Sequence, residues 1–227
     1  MDADYSLIEL RVLADISGDK NMIDAFKNNQ DIHAITASQV FNMPLDFVTG
    51  EMRSRAKAVN FGIVYGIGAY SLAKDIGVTN KEAKNYIESY LKHYSGIDKY
   101  MHDVVEKAKD TGYVETVFGR RRYLPELSAS NGMTRAFGER VARNAPIQGT
   151  AADIIKIAMI KVDKRLTEEN LEARLVLQVH DELIVECPSH ESMRVAMILQ
   201  EEMEKAVSLS VPLVADSAVG KTWYDAK

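Results

Sequence analysis

The order of apolar and polar positions predicts a chain that is stranded at its two ends and helical between them. Residues 1–5 read as a short strand. Ser6 and Glu9 then form the S-x-x-E signature of a capping box and open a helix to about residue 16. Helical patterns follow around 21–28, 32–41, 51–65 and 70–76. Thr79 and Glu82 make a second capping box ahead of a helix to about 94, and a further helix spans about 97–110. Residues 113–118 and 122–124 read as a small hairpin around Gly119. Helices resume over 134–144 and 151–167, and Pro146 is expected to break them, because proline lacks the N–H that a helix interior uses.

Beyond residue 172 the pattern changes. The runs 173–179 and 182–187 are rich in Val, Leu and Ile and are joined by His180 and Asp181, which predicts a β-hairpin with a polar tip. A helix near 192–208 and a strand near 212–219 complete the chain. The expectation is one α+β unit interrupted by a helical insertion, with no internal repeat and no low-complexity linker.

Composition narrows the class only a little. The chain has 227 residues, enough for one or two domains with a sizeable core. No apolar run is long enough to cross a bilayer, and Met1 does not open a signal-peptide pattern. Cys187 is the single cysteine, which excludes an internal disulfide and fits a reducing, cytoplasmic setting. A net charge of −5 argues weakly against nucleic-acid binding. The distribution softens this, because Arg120, Arg121, Arg122, Arg135, Arg140 and Arg143 share a segment whose only acids are Glu126 and Glu139.

The most specific chemistry lies on the helix expected at 51–65. Arg53, Lys57, Phe61 and Tyr65 stand four residues apart, so they share one face. Thr49 suits the cap, Glu51 the first turn, and Gly62 and Gly66 weaken the far end. Two cations followed by two rings suit a nucleoside triphosphate, with phosphate oxygens on the cations and sugar and base against the rings. The spacing equally allows solvated cations above two core aromatics.

The residues between them point one way. RSRAKAVNFGIVYG, from Arg53 to Gly66, resembles the nucleotide-binding helix of family A DNA polymerases. ADYSLIELRVLA near the start resembles that family's first catalytic-aspartate motif, and QVHDELIVE, from Gln178 to Glu186, its second. RVARNAPIQGTAADII, from Arg140 to Ile155, is similar to the primer–template helix region. The motifs occur in the family's order, and the resemblance runs from Ala3 to Trp223. The resemblance implies an α+β fold: an antiparallel palm sheet with packed helices and an inserted, mostly helical fingers subdomain. Palm would occupy 1–19 and 131–227, and fingers 20–130.

The same resemblance implies roles. Asp4 and Asp181, with the backbone carbonyl of Tyr5, would bind Mg2+, and Glu182 would be an accessory carboxylate. Two-metal phosphoryl transfer requires carboxylates that converge from separate rigid elements, and hard oxygen ligands suit magnesium. Taken alone, Asp4 is an ordinary strand-end residue and Asp181 a turn former. Arg53, Lys57 and His33 would contact the triphosphate, with Lys57 also the acid for the leaving pyrophosphate. Phe61 would lie against the sugar, and Tyr65 near the templating base. Glu9 would exclude a ribose 2′-OH by clashing with it. Arg140, Asn144, Gln148 and His180 would contact primer–template DNA. The lesser reading of His33 is a surface helical histidine.

The chain departs from the family pattern in two places. Leu7 stands where DYSQIEL has glutamine. The thumb and first palm strands that precede the first aspartate in the family have no counterpart before Asp4, which suggests a truncated chain or one half of a split enzyme. The N-terminal half would then be a missing partner, and an unpaired palm edge would favour self-association. The expected reaction is nucleotidyl transfer from deoxynucleoside triphosphates to a primer, weak or absent in this chain alone. A non-catalytic nucleotide- or nucleic-acid-binding module, or a metal-dependent nuclease using Asp4 and Asp181, are the alternatives; the triphosphate face argues against the nuclease.

Overall fold

The computed structural model describes residues 1–226. In chain order the elements are β1 (Asp2–Tyr5), α1 (Ile8–Ser17), α2 (Lys20–Lys27), α3 (Ile32–Val40), α4 (Gly50–Val64), α5 (Ala69–Ile76), α6 (Asn80–His93) and α7 (Ser95–Thr111). Then come β2 (Tyr113–Glu115), β3 (Arg121–Tyr123), α8 (Gly132–Glu168), β4 (Arg174–Val179), β5 (Glu182–Glu186), α9 (Ser192–Glu204) and β6 (Ala215–Ala218). The class is α+β, as the sequence indicates. Among the described residues, no helix is long and apolar enough to cross a membrane.

Two compact units divide the chain. The first joins Met1–Ile8 to the chain from Thr150 onward. Its sheet has the order β4-β5-β1-β6, all antiparallel, with β1 central and hydrogen-bonded on both sides. Ala3, Tyr5, Leu183 and Val185 are buried, as are Val195, Ile198, Leu199 and Met203 of α9. The Tyr5 hydroxyl donates to the Met203 carbonyl at 2.6 Å, and burial pushes its pKa well up. A bulge at Val176 interrupts the β4–β5 ladder.

The second unit, Glu9–Gly149, is helical apart from the β2–β3 hairpin. Val105 and Ala108 of α7, Val114 of the hairpin, Leu124, Leu127 and Ala142 form one core cluster. Helix α8 corrects the expected break at Pro146: it runs unbroken from Gly132 to Glu168 with the proline inside it. An interior proline costs roughly 3 kcal/mol. Ala142 and Ile147 on either side of it are fully buried, so packing on both sides of the proline offsets that cost.

The expected capping box at Ser6 and Glu9 is a second correction. Leu7 has φ 57°, outside the helical region, so α1 begins at Ile8. A left-handed Leu is strained by about 1 kcal/mol or more. The Thr79–Glu82 box, by contrast, is complete.

Gly149 packs its helix against the hairpin end. A Cβ there would lie 2.6 Å from Cγ2 of the buried Thr116, whose hydroxyl accepts the Phe118 and Arg120 amides. Gly149→Ala is therefore expected to cost about 1–3 kcal/mol by overpacking, and Thr116→Ser in the same chain to recover most of it. Urea denaturation checks this; an unchanged midpoint for Gly149→Ala would show that the hairpin moves aside freely.

Candidate functional site

The first unit gathers the acidic residues. In the β1–β5 ladder Asp4 lies directly opposite Glu182, and the Tyr5 amide donates to the Asp181 carbonyl at 3.2 Å. Asp4 and Asp181 thus come from the two ends of the sequence onto adjacent positions of one ladder, within about 8 Å between backbones. Asp4 is exposed and Asp181 half-buried. His180 and Asp181 form a two-residue turn whose first residue has φ 54°, a conformation His tolerates better than bulkier residues. Gln178 braces the turn by donating from Nε2 to the His180 carbonyl at 2.6 Å.

Glu182 differs from its neighbours. It is buried, and its Oε1 accepts the indole N–H of Trp223. That bond engages one of its oxygens. The carboxylates of Asp4 and Asp181 and the carbonyl of Tyr5, on β1 and the β4–β5 turn, are hard oxygen donors of the kind magnesium takes. Elsewhere in this unit Glu172, His190 and Glu191 bring potential ligand atoms within 4.8 Å of one another. Both oxygens of Glu191 already accept backbone amides there, from Glu172 and Ala173, so that group ties a loop.

The second unit carries the cationic and aromatic face. The Thr49 hydroxyl caps α4 by accepting from the Met52 amide. Arg53, Lys57 and Tyr65 are exposed and Phe61 half-buried, so the face is not core. The Phe61 and Tyr65 rings are nearly parallel, with centroids 6.5 Å apart. The Lys57 ammonium lies 6.0 Å from the Phe61 centroid. Tyr65 donates its hydroxyl to Glu9 Oε2 at 2.9 Å, which ties the start of α1 to the end of α4.

Asp31 organises the other end of that face. One oxygen caps α3 through the His33 and Ala34 amides, and the other accepts Arg53 Nε at 2.6 Å. Partial burial pushes the Asp31 carboxyl up, but the bonds from Arg53 and the two amides outweigh it and hold the carboxyl below its usual range. The contact is made through Nε, so this ion pair does not use the two terminal nitrogens of the Arg53 guanidinium.

His33 is buried at 3% exposure, which corrects the reading of a surface histidine. Its ring lies 5.9 Å from Phe61. Its Nδ1 meets Asn60 Nδ2 at 2.9 Å, and Asn60 Oδ1 accepts from Thr36 at 3.0 Å. Burial, then the charge of Arg53, lowers its pKa to about 4.

On the part of α8 within this unit, Arg140, Asn144 and Gln148 repeat every four residues along one face. Arg140 and Gln148 are exposed, and the Arg140 guanidinium sits 5.9 Å from the Phe137 ring centroid. Asn144 Nδ2 donates to the Val64 carbonyl at 3.3 Å, satisfying an acceptor at the end of α4. Gly66, with φ 66°, lies against Arg140, where a Cβ would approach Cγ to 3.3 Å.

With both units described, the comparison with known proteins decides the family. The description "DNA polymerase family A" matches residues 1–225. The chain belongs to DNA polymerase family A. Within the family it is similar to DNA polymerase I of Bacillus caldotenax, 54% identical over 225 residues, covering 99% of this chain and 26% of that protein. DNA polymerase I of Bacillus subtilis is 55% identical over the same length, with the same coverage. A solved structure described as the POL domain of Pol1 from M. smegmatis, in complex with DNA primer-template and dNTP, superposes with a TM-score of 0.94 at 45% identity. That match covers 99% of this chain and 40% of the other. The chain spans about a quarter of the length of the curated relatives it matches.

For a family A chain, the sequence motifs pick out the residues of the α4 face but not those that hold them. Asp31 carried a signal, an aspartate immediately before an apolar helix. Asn60, Thr36 and Trp223 carried none, because each acts on a residue far away in sequence.

Proposed function

We propose that this chain is the nucleotide-binding and catalytic-aspartate part of a DNA-directed DNA polymerase, with deoxynucleoside triphosphates and primer–template DNA as substrates. The observation that carries the proposal is the solvent-facing α4 row, in which Arg53 is fixed by Asp31 and Tyr65 by Glu9. A family A chain with those side chains in its core would have no such face.

In this reading 1–19 and 131–227 serve as palm and 20–130 as fingers. Arg53 and Lys57 bind the triphosphate, and the partnerless His33 Nε2 adds a donor. Phe61 bears on the sugar. Glu9, pinned by Tyr65, occupies the space a 2′-OH would need. Asp4, Asp181 and the Tyr5 carbonyl are the residues that would hold Mg2+, which would supply charge to offset that developing on the attacking and leaving oxygens. The primer 3′-hydroxyl gives up its proton to solvent water as its oxygen bonds to the α-phosphorus and the bond to the α,β-bridging oxygen breaks; Lys57 gives a proton to the departing pyrophosphate and takes one back from solvent. Arg140, Asn144, Gln148 and His180 contact the duplex near its newest pair, testing shape without reading sequence. Val176 and Leu177 are exposed on the outer strand β4, where a strand of a second copy would add. A reducing, cytoplasmic compartment suits Cys187, whose thiol burial pushes up.

The chain alone is expected to bind nucleotide weakly and to extend primers poorly. Lys57→Ala should weaken magnesium-dependent binding of a fluorescent deoxynucleotide by roughly tenfold, the loss of one charge-assisted contact. It should change DNA binding much less. DNA binding itself should fall steeply with salt. Separate titrations of labelled nucleotide and labelled primer–template check both. Equal losses for both ligands would remove the assignment of the α4 face to the triphosphate.

A further inference from the structure

We infer that Asn60 and Thr36 are positioning residues that hold His33 in one tautomer, so that its Nε2–H is a fixed hydrogen-bond donor to the incoming triphosphate. The inference rests on the reading of the α4 face as the nucleotide site and adds a mechanism to it.

The chain of bonds has a direction. Thr36 Oγ1 donates to Asn60 Oδ1 at 3.0 Å. With its oxygen occupied, Asn60 presents its NH2 group to His33 Nδ1 at 2.9 Å. An amide NH2 only donates, so Nδ1 must accept, and a neutral imidazole with Nδ1 accepting carries its proton on Nε2. All three side chains are buried, at 3% exposure for His33 and 0% for Asn60 and Thr36, so water does not scramble the arrangement.

The ring is held neutral as well as oriented. The charged groups acting on it are Arg53 and Lys57, which oppose protonation, and Asp31, which favours it. Burial and the Arg53 charge dominate, and the pKa falls to about 4. Across the physiological range His33 is therefore a permanent single donor rather than a titrating one.

Nε2 is buried and has no hydrogen-bond partner in the protein. Buried donors of this kind are rare in folded chains, and one beside the cationic face is accounted for by an acceptor that arrives with a ligand. Ionised phosphate oxygens accept only. The opposite tautomer would set a nitrogen lone pair against an oxygen lone pair, so the tautomer decides whether this contact attracts or repels.

The test begins with the free chain labelled with 15N at histidine, with His33→Gln assigning the signal. Nitrogen shifts from pH 5.5 to 8 should show Nε2 protonated, Nδ1 unprotonated and no titration. A proton on Nδ1, or a midpoint near the ordinary histidine value, would overturn the inference without touching the nucleotide face. Affinity for a fluorescent deoxynucleotide with magnesium is the second readout. The native chain should show no His33-linked change between pH 6 and 8. In Asn60→Asp the carboxylate accepts from Nδ1–H, so Nε2 keeps a proton only in the imidazolium. Affinity should then fall by roughly ten- to a hundredfold as pH rises and that form is lost. A pH-independent affinity in Asn60→Asp would count against the relay. Thr36→Val, which removes the hydroxyl at nearly constant shape, should weaken binding by about threefold, and Thr36→Ser should restore it; this pair serves if Asn60→Asp does not fold. If nucleotide leaves the Nε2 signal unmoved while Lys57→Ala still weakens nucleotide selectively, the donor role falls and the face stands. If Lys57→Ala has no selective effect, the nucleotide face itself falls.

Discussion

Asp4→Asn and Asp181→Asn, each placed in a complete polymerase carrying this sequence, are expected to lower primer extension by on the order of a thousandfold or more. Each substitution removes a negative charge from the pair that the β1–β5 ladder and its turn bring together and that is proposed to hold the metal. Charge stabilisation at a two-metal centre is worth several kcal/mol, and each 1.4 kcal/mol is about tenfold in rate. Folding should survive, because Asp4 is exposed and Asp181 is a half-buried turn residue. Glu182→Gln should act more mildly, since its oxygen can still accept from Trp223. Glu168→Gln, an exposed change at the end of α8, serves as the control. The measurement is single-turnover extension with matched circular dichroism. Extension within tenfold of the native enzyme for either aspartate variant would remove that residue from the catalytic pair.

The second large effect is on stability. His33 has a folded pKa of about 4 against an ordinary value of 6.5. Above pH 6.5 the ring is neutral folded and unfolded, and its contribution to stability is fully present. Between 6.5 and 4 the unfolded chain takes up a proton that the folded chain refuses, so stability falls as pH falls through that window. The loss amounts to about 3 kcal/mol by pH 4. His93, lowered by burial, and Asp31, whose carboxyl Arg53 and two backbone amides hold below its ordinary value, both work in the same direction. Urea denaturation of the native chain and of His33→Gln at pH 7 and pH 4 isolates the term. The native chain should lose about 3 kcal/mol more than the variant between the two values. Equal losses would show that His33 protonates freely in the folded state.

Much of the local structure was legible. The Thr49 cap, the Thr79–Glu82 box and the polar tip at His180 and Asp181 depend on residues within a few positions of one another, and all three form. Pro146 and the Ser6–Glu9 pair misled for a shared reason. In both cases the backbone departed from the local rule: the buried flanks of α8 carry the helix through Pro146, and the left-handed Leu7 delays the start of α1 to Ile8. The burial of His33 was not legible, because nothing nearby in sequence reveals whether a helical histidine faces water.

By itself, the sequence determined which residues line the α4 face, where that helix starts and stops, and that acidic motifs stand at both ends of the chain. Helical spacing and caps are short-range, so the order of residues suffices for them. Only the tertiary structure decided what those residues meet. The β1–β5 ladder puts Asp4 opposite Glu182 and beside Asp181, and Trp223 takes up Glu182 from 41 residues away. Asn60 reaches His33 across 27 residues, and Tyr65 reaches Glu9 across 56. Those pairings set what each side chain is bonded to. They arise because burial removes water as a partner and leaves each polar group to the atom that packing brings near it.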